Sequence, residues 1–366
     1  LRDAQSFGFS FKKFYIRRAT RLLPAYLFML VITLIMCSYI LAPIAMLDFL
    51  QSALASSLFV SNFYFLINHS GYFSTTVHEL PLLHTWSLSV EEQFYLIMPL
   101  SLILWLKIKS FRFRFFILSI GLIVSIFLSL YITSYNQGVS YFLVPSRVHE
   151  FLLGALLAVL INRYGTKITP KIFIANLLTI FSIVGILAFS LFLTSKENFP
   201  GYFASIICLF TALIIYCGLN ESSVGHKLLG NKLFVWIGLL SYSLYLWHWP
   251  IVSLLKYMNV EFVWYVQVSI IILSFSLAAI SYYYVEKPFR YGGLSKKPLV
   301  AVLLYVLPVL ILLLLLRLHA NFPSSFSDKA IDVEVMTKST PESGREICHS
   351  ENLTDKNLCH LGDNSQ

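Results

Sequence analysis

The sequence has 366 residues, of which 57% are hydrophobic and 12% are charged, and its mean hydropathy is +0.74. Soluble domains carry about 25% charged residues, so this composition excludes an ordinary soluble globular protein. The net charge of +9 comes mainly from short basic segments between apolar stretches, so it indicates a membrane orientation and not binding to nucleic acid.

Apolar stretches of about 20 residues, the length that crosses a bilayer as a helix, recur along the whole chain. The stretch 48–66 is also apolar but is interrupted by polar residues, and we expect it to form a helix lying in or dipping into the membrane interface. A tenth span there is the alternative, and it would invert the orientation of every later loop. The pattern predicts an all-α polytopic membrane protein with nine spans, at approximately 22–45, 86–106, 113–134, 144–162, 172–194, 201–218, 233–255, 264–284 and 298–318.

Basic residues are distributed unequally between the two sets of loops. The opposite inter-span loops contain only Lys196 and Lys256, and the long stretch 46–85 contains neither lysine nor arginine. Cytoplasmic loops are enriched in Lys and Arg, so we predict a cytoplasmic N-terminal end and an extracytoplasmic C-terminal tail. The segments that this orientation places in the cytoplasm are 1–21, 107–112, 163–171, 219–232 and 285–297.

The first candidate site is FYIRRATRLLPAY, in which Arg17, Arg18 and Arg21 stand at the predicted cytoplasmic end of the first span. Arg17 and Arg21 are four residues apart and therefore share a helix face. One interpretation is ordinary anchoring by the positive-inside rule. The other is a phosphate-binding fork, since the planar guanidinium group suits phosphate better than an ammonium does.

The second candidate site is LLHTWSLSVEEQFYLIMP, which carries two adjacent acids at the start of an apolar span. Ser87, Glu91 and Tyr95 follow at four-residue spacing, on one stripe of a helix. Glu91 lies about 7–8 Å along the helix from Trp86, so we expect it near the extracytoplasmic end of a cavity. Acids in membrane helices are usually functional. The other interpretation places both Glu91 and Glu92 in the hydrated headgroup region with no function.

Two further motifs carry ionisable residues near the same predicted membrane end. In PSRVHEFLLGALLAVL, Arg147 and Glu150 are three residues apart and can pair. They either line the same cavity as Glu91 or form an internal ion pair that lets the helix enter lipid. In SYSLYLWHWP, His248 is either a cavity residue or a hydrogen-bonded structural histidine, among aromatic residues typical of the membrane interface.

These four motifs, with the C-terminal YYYVEKPFR, resemble in their order the acyltransferase family 3 membrane proteins over roughly residues 9–290. The tail is similar to the start of the SGNH-type extracytoplasmic domain in the O-antigen-modifying branch. The resemblance implies a ten-helix bundle and an eleventh, linking helix, so we expect two helices before Leu1. It also implies a transmembrane domain at 1–292, a linking helix at 293–318, and a short disordered linker with the start of the SGNH-like domain at 319–366.

The resemblance further implies transfer of an acyl group, usually acetyl, from cytoplasmic acyl-CoA to a hydroxyl of an extracytoplasmic glycan such as lipopolysaccharide O-antigen. The protein would lie in the bacterial inner membrane, without a metal or a bound cofactor. The family's general base is a histidine eleven positions after an arginine; this chain has no such pair, so we expect the base before Leu1. The implied roles are donor binding by Arg17, Arg18 and Arg21, catalytic support by Glu91, Arg147 and Glu150, and an acceptor-side cavity of Trp86, Ser87, Tyr95 and His248.

Two other functions stay open: a transporter or flippase of a lipid-linked glycan, and a fragment that is catalytically inactive. Cys348 and Cys359, eleven positions apart in the tail, are a candidate disulfide because the tail is predicted to face an oxidising compartment. Zinc ligation and free thiols are the alternatives for these two residues.

Overall fold

The computed structural model describes residues 10–69, 75–192, 199–291 and 298–321. Over these ranges the secondary structure is helical and contains no strand, which confirms the predicted all-α membrane protein. Four helical stretches of the described chain are long and apolar enough to cross a membrane, at Phe11–Ile40, Phe111–Tyr135, Ile172–Leu191 and Trp264–Tyr291.

Long helices occupy the positions of the nine predicted spans in the described ranges. They are α1 (Phe11–Ile40), α4 (Thr85–Lys107), α5 (Phe111–Tyr135), α7 (Val148–Tyr164), α8 (Ile172–Phe192), α9 (Gly201–Cys217), α11 (Lys232–Tyr257), α12 (Trp264–Ile280) and α14 (Pro298–Asn321). Shorter helices join them, namely α2 (Pro43–Ser57), α3 (Ser61–Asn68), α6 (Gln137–Phe142), α10 (Val224–Leu229) and α13 (Lys287–Tyr291). The remaining turns are 3₁₀ segments at Thr75–Glu79, Val144–Ser146 and Gly165–Ile168, and a π-helical turn at Ser281–Glu286.

The predicted bounds of the first span, 22–45, are wrong at both ends. Helix α1 begins at Phe11, where the side chain of Ser10 accepts a hydrogen bond from the Lys13 amide, and it ends at Ile40. Pro43 then starts α2, as proline often does in the first turn of a helix. The early start matters because it places all three arginines of FYIRRATRLLPAY inside the helix and not ahead of it.

The predicted single helix over 48–66 is instead two helices, α2 and α3. Between them Phe59 has a φ of 56°, a left-handed conformation that no continuous right-handed helix can contain. Helix α2 packs against α1 and α14, and it buries Phe49, Leu50 and Ala53 in the main core.

The main core lies where α1, α2, α4, α11 and α14 meet. Trp247 of α11 is buried there, only 1% exposed, and packs edge-on against Phe28 of α1. The indole of Trp247 therefore packs against the neighbouring helix. Large apolar side chains such as Phe127, Phe173 and Ile272 are exposed on α5, α8 and α12, as expected for helices that face lipid.

Hydrogen bonds between polar side chains hold the first half of α4 in place. The Gln93 amide nitrogen donates to the Asn62 side-chain oxygen at 2.9 Å and to the Phe59 carbonyl at 2.8 Å. Asn62 in turn donates to the Phe142 carbonyl at 3.1 Å, which joins α3 and α4 to α6. Buried polar groups require such partners, so this network determines where the acids of α4 lie.

We expect Gly185→Ala to destabilise the protein. A Cβ at Gly185 of α8 would overlap the ring of Phe210 on α9. That ring packs against Phe181 and Phe189 and has little room to move. Overpacking of this kind costs about 1–3 kcal/mol, which thermal unfolding of the purified protein in detergent would measure as a lower Tm.

The matched control is Gly154→Ala in α7, because a Cβ at Gly154 meets no atom within 4 Å. Alanine has the higher helix propensity, by about 1 kcal/mol, so this variant should unfold at an equal or higher temperature. Equal Tm values for the two variants would contradict the close packing of α8 against α9.

Two cavities beside helix α4

The first cavity, here called the arginine cavity, has a volume of about 260 Å³ and lies between α1, α4 and α11. It is the place where the arginine motif and the acidic motif of the sequence meet. The residues that line it are Arg18, Arg21 and Leu22 from α1, Leu88, Glu91 and Tyr95 from α4, and Ser241, Tyr242 and Tyr245 from α11.

Arg18 is held by two residues of α4. Its Nη2 lies 2.9 Å from Oε1 of Glu92, and its guanidinium carbon lies 3.2 Å from the centroid of the Tyr95 ring. Both the side chain of Arg18 and that of Glu92 are less than one-fifth exposed. The pair and the cation–π contact together fix the position of Arg18.

Unlike Arg18 and Glu92, Arg21 and Glu91 are not paired with each other. Both line the arginine cavity, and neither makes a hydrogen bond or an ion pair within the described part of the chain. Both residues are exposed in the described structure. A cation and a carboxylate are therefore available to a ligand that enters this cavity.

The arginines and the acids were predicted at opposite ends of the membrane, and the structure contradicts that placement. Tyr15 donates a hydrogen bond to the Leu96 carbonyl at 2.9 Å, and Arg18 pairs with Glu92. The prediction failed because it began the first span after Arg21, whereas α1 begins ten residues earlier, at Phe11. Arg17 is exposed and does not line the cavity.

The second cavity, here called the aromatic cavity, has a volume of about 190 Å³. Tyr245 lines both cavities, so they adjoin at its side chain. Its hydroxyl lies 2.9 Å from Oγ of Ser87 and donates to the carbonyl of His84. The lining residues of the aromatic cavity are Leu83, His84, Trp86, Ser87, Tyr141, Tyr245 and Trp249.

The predicted stripe of Ser87, Glu91 and Tyr95 runs past both cavities. Ser87 lines the aromatic cavity, whereas Glu91 and Tyr95 line the arginine cavity. Tyr95 was expected on the acceptor side, and the structure places it beneath Arg18 instead. His248 is exposed and is not among the residues that line either cavity.

Arg147 pairs with Glu150, as the spacing predicts, at 2.8 Å between Nη1 and Oε1. It lines neither cavity. Its guanidinium carbon lies 5.1–5.3 Å from the rings of Trp86, Tyr141 and Phe199, two of which form walls of the aromatic cavity. Arg147 therefore packs on the aromatic residues from outside the cavity. Of the two interpretations, the structure favours the ion pair with Glu150 over a position in the same cavity as Glu91.

Several residues that line the cavities were not proposed as site residues from the sequence, among them His84, Tyr141, Tyr242 and Tyr245. Glu286, which lines neither cavity, was not proposed either. The spacing of Tyr242, Tyr245 and Trp249 by three and four residues marks one helix face and could have indicated the tyrosines. Glu286 ends the π-helical turn, accepts a hydrogen bond from Ser243 at 3.3 Å and lies 3.6 Å from Arg290. π-Helical turns are frequent at functional sites, but this one has no signal in the sequence.

The described residues contain no cluster of three histidine, cysteine, aspartate or glutamate side chains that could hold a metal ion. Cys348 and Cys359, the candidate disulfide, lie outside the described residues. The disulfide stays a prediction.

Residues 5–317 match the family described as "Acyltransferase domain". The O-acetyltransferase OatA of Staphylococcus aureus strain NCTC 8325 is 33% identical over 299 residues, which cover 77% of this chain and 48% of the relative. A putative O-acetyltransferase of Staphylococcus aureus strain COL is 32% identical over 303 residues, covering 78% of this chain and 48% of the relative.

The chain thus spans about half the length of these curated relatives. No solved structure matches it. The family match over most of the chain confirms the resemblance that the five motifs indicated, and this chain belongs to the acyltransferase family 3 of membrane proteins.

Proposed function

We propose that the chain is the membrane domain of an O-acyltransferase that carries an acyl group, in the simplest case acetyl, from acyl-CoA to a hydroxyl of a glycan. The observation that supports this most strongly is the pair of adjoining cavities, one with cations and a carboxylate and the other with aromatic walls. The named activity of the relatives is O-acetyl transfer, which agrees with this chemistry.

In the reaction, the acceptor oxygen attacks the thioester carbonyl, the carbon–sulfur bond breaks, and CoA leaves as the thiolate. The hydroxyl proton must pass to a base, because an alcohol has a pKa far above 7. Glu91 is the carboxylate that lines the arginine cavity without an ion pair in the described chain, so we assign it a supporting role near the reacting groups.

The donor needs cations, since CoA carries phosphate groups. Arg18 is already neutralised by Glu92, whereas Arg21 makes no ion pair in the described structure and lines the same cavity. Arg21 is therefore the better candidate for a phosphate or for the thioester oxygen, and Arg18 shapes the cavity. A volume of about 260 Å³ is below the usual range for drug-sized ligands, so the cavity would hold one end of the donor and not the whole molecule.

The donor lies in the cytoplasm and the glycan acceptor outside it in this proposal. The orientation rests on the loop charges, with the N-terminal end inside, and the membrane would be the bacterial cytoplasmic membrane. A glycan such as lipopolysaccharide O-antigen fits the proposal. The aromatic cavity and the cations of the protein would serve other extracytoplasmic glycans equally.

We expect Arg21→Ala to weaken the binding of acetyl-CoA by about 10–100-fold, because a hydrogen bond to a charged group contributes about 1.5–3 kcal/mol. Isothermal titration calorimetry on the full natural protein that contains this sequence, in lipid nanodiscs, measures the Kd. Arg17→Ala, outside the cavity, should have a smaller effect.

Arg112→Ala is the control, since Arg112 is an exposed arginine of α5, away from both cavities. Equal Kd values for Arg21→Ala and Arg112→Ala would overturn the assignment of the arginine cavity to the donor.

We expect Glu91→Gln to slow acyl transfer by about 100-fold, the lower end of the usual contribution of a general acid or base. The substitution keeps the shape of the side chain but removes its charge. The assay follows labelled acetyl from acetyl-CoA to glycan, using the full natural protein that contains this sequence in proteoliposomes.

The matched control is Glu221→Gln, in an exposed turn between α9 and α10. It should leave the rate unchanged. Labelled glycan that crosses the vesicle membrane unmodified, with no acetyl incorporated, would support a transporter in place of an acyltransferase.

A further inference from the structure

The aromatic cavity has no role that the donor chemistry explains. We propose that it binds one sugar ring of the acceptor glycan, and that His84 makes the hydrogen bond that selects and orients a sugar hydroxyl. This inference rests on the proposed acyltransferase function and specifies where its acceptor binds.

The walls of the cavity suit the face of a sugar. The Trp86 and Tyr141 rings lie with their centroids 4.7 Å apart, and Trp249 stands on α11. Aromatic faces carry partial negative charge, so they attract the slightly positive C–H groups on the apolar face of a sugar ring. A neutral ring with one apolar face is therefore the ligand class that these walls fit.

The aromatic walls are fixed before any ligand arrives. The indole nitrogen of Trp249 donates to the Leu80 carbonyl at 2.9 Å. The guanidinium of Arg147 packs against both Trp86 and Tyr141 from outside the cavity. A preorganised pocket loses less entropy on binding, which favours a small ligand with few contacts.

His84 lines this cavity and is buried, with 8% of its surface exposed. Neither of its ring nitrogens meets the geometry of a hydrogen bond in the described part of the chain, and the Leu246 backbone lies close enough to affect its pKa. A buried polar group without a partner costs about 1–3 kcal/mol. His149 also has unpartnered ring nitrogens, but only His84 of the two lines one of the cavities, where a ligand could reach it. His84 is thus a polar group of the cavity wall that is left over for a ligand.

Burial and, to a smaller extent, the nearby His248 lower the pKa of His84 to about 3, against an opposing effect of the Leu246 backbone. The imidazole is therefore neutral at physiological pH. A neutral imidazole has one donor and one acceptor nitrogen, which matches a sugar hydroxyl because that group also donates and accepts.

Size and charge separate a sugar from the nucleotide of the donor. The volume of about 190 Å³ is below the range for drug-sized ligands, so it fits one ring and not an oligosaccharide. No lysine or arginine is among the residues that line this cavity, whereas two arginines line its neighbour. An adenine ring could stack on the same walls, but its phosphates would have no cation there.

The position of the cavity also suits an acceptor. Tyr245 lies between it and the arginine cavity, with its hydroxyl bound to Ser87 and to the His84 carbonyl. A sugar against His84 would present its hydroxyls toward Tyr245, next to the place where the thioester would arrive. His84 is in this view a positioning residue for the acceptor and not the base.

The test uses the full natural protein that contains this sequence, in lipid nanodiscs, and a panel of methyl glycosides, with adenosine as the competing ring. Binding is followed by quenching of tryptophan fluorescence and by saturation-transfer NMR, and acetyl-CoA binding is measured on the same samples. We expect at least one glycoside to bind and adenosine not to compete with it. His84→Leu should weaken glycoside binding by at least tenfold and leave acetyl-CoA binding unchanged.

His84→Asn keeps one donor and one acceptor and should restore part of the affinity. It also serves as the second variant if His84→Leu does not fold. His226→Asn, on α10 and outside both cavities, is the control and should bind glycosides as the unmodified chain does.

The sugar site is overturned if no glycoside binds, if adenosine displaces the glycoside, or if both His84 variants bind glycosides as tightly as the unmodified chain. If acetyl-CoA binds normally in those cases, the proposed acyltransferase function stands while the sugar site falls. Loss of acetyl-CoA binding in the unmodified chain would instead contradict the proposed function itself.

Discussion

The site depends on the guanidinium of Arg18, which is held between the carboxylate of Glu92 and the ring of Tyr95. A charge inside a membrane bundle costs several kcal/mol unless it is paired. Both groups that satisfy Arg18 belong to α4, so α1 and α4 can bury this charge only when they pack in one register along their axes. The hydrogen bond from Tyr15 to the Leu96 carbonyl follows from the same register.

That register places the adjacent acids Glu91 and Glu92 in different surroundings. Successive residues of a helix point about 100° apart, so when Glu92 faces Arg18, Glu91 must face elsewhere. It faces the arginine cavity, where Arg21 also lies. The Arg18–Glu92 pair is therefore structural, and its formation leaves the neighbouring cation and carboxylate for a substrate.

The number and order of the long helices could be predicted from the sequence, because each needs its own apolar stretch. The family could be predicted too, from five motifs in order. The depth of the arginines in the bundle could not be predicted. A hydropathy analysis ends a span at a charged residue, and it does not detect that Arg18 has a partner in Glu92, 74 residues later. Tyr245 was missed for the same reason: its contacts with Ser87 and His84 exist only after α4 and α11 pack together.

The two cavities also divide the charges in a way that suits two substrates. The proposed acyl-CoA donor is anionic, and cations line one cavity. The proposed sugar ring is neutral, and the lining of the other cavity contains no cation among the described residues. The donor would therefore be disfavoured in the aromatic cavity, because no cation among the lining residues there would bind its phosphates. Tyr245 lies at the boundary between the two cavities. The carbonyl carbon of the thioester and the hydroxyl oxygen of the sugar would therefore react beside it. Acyl transfer requires only that the two ligands approach each other there, and neither has to cross the bundle.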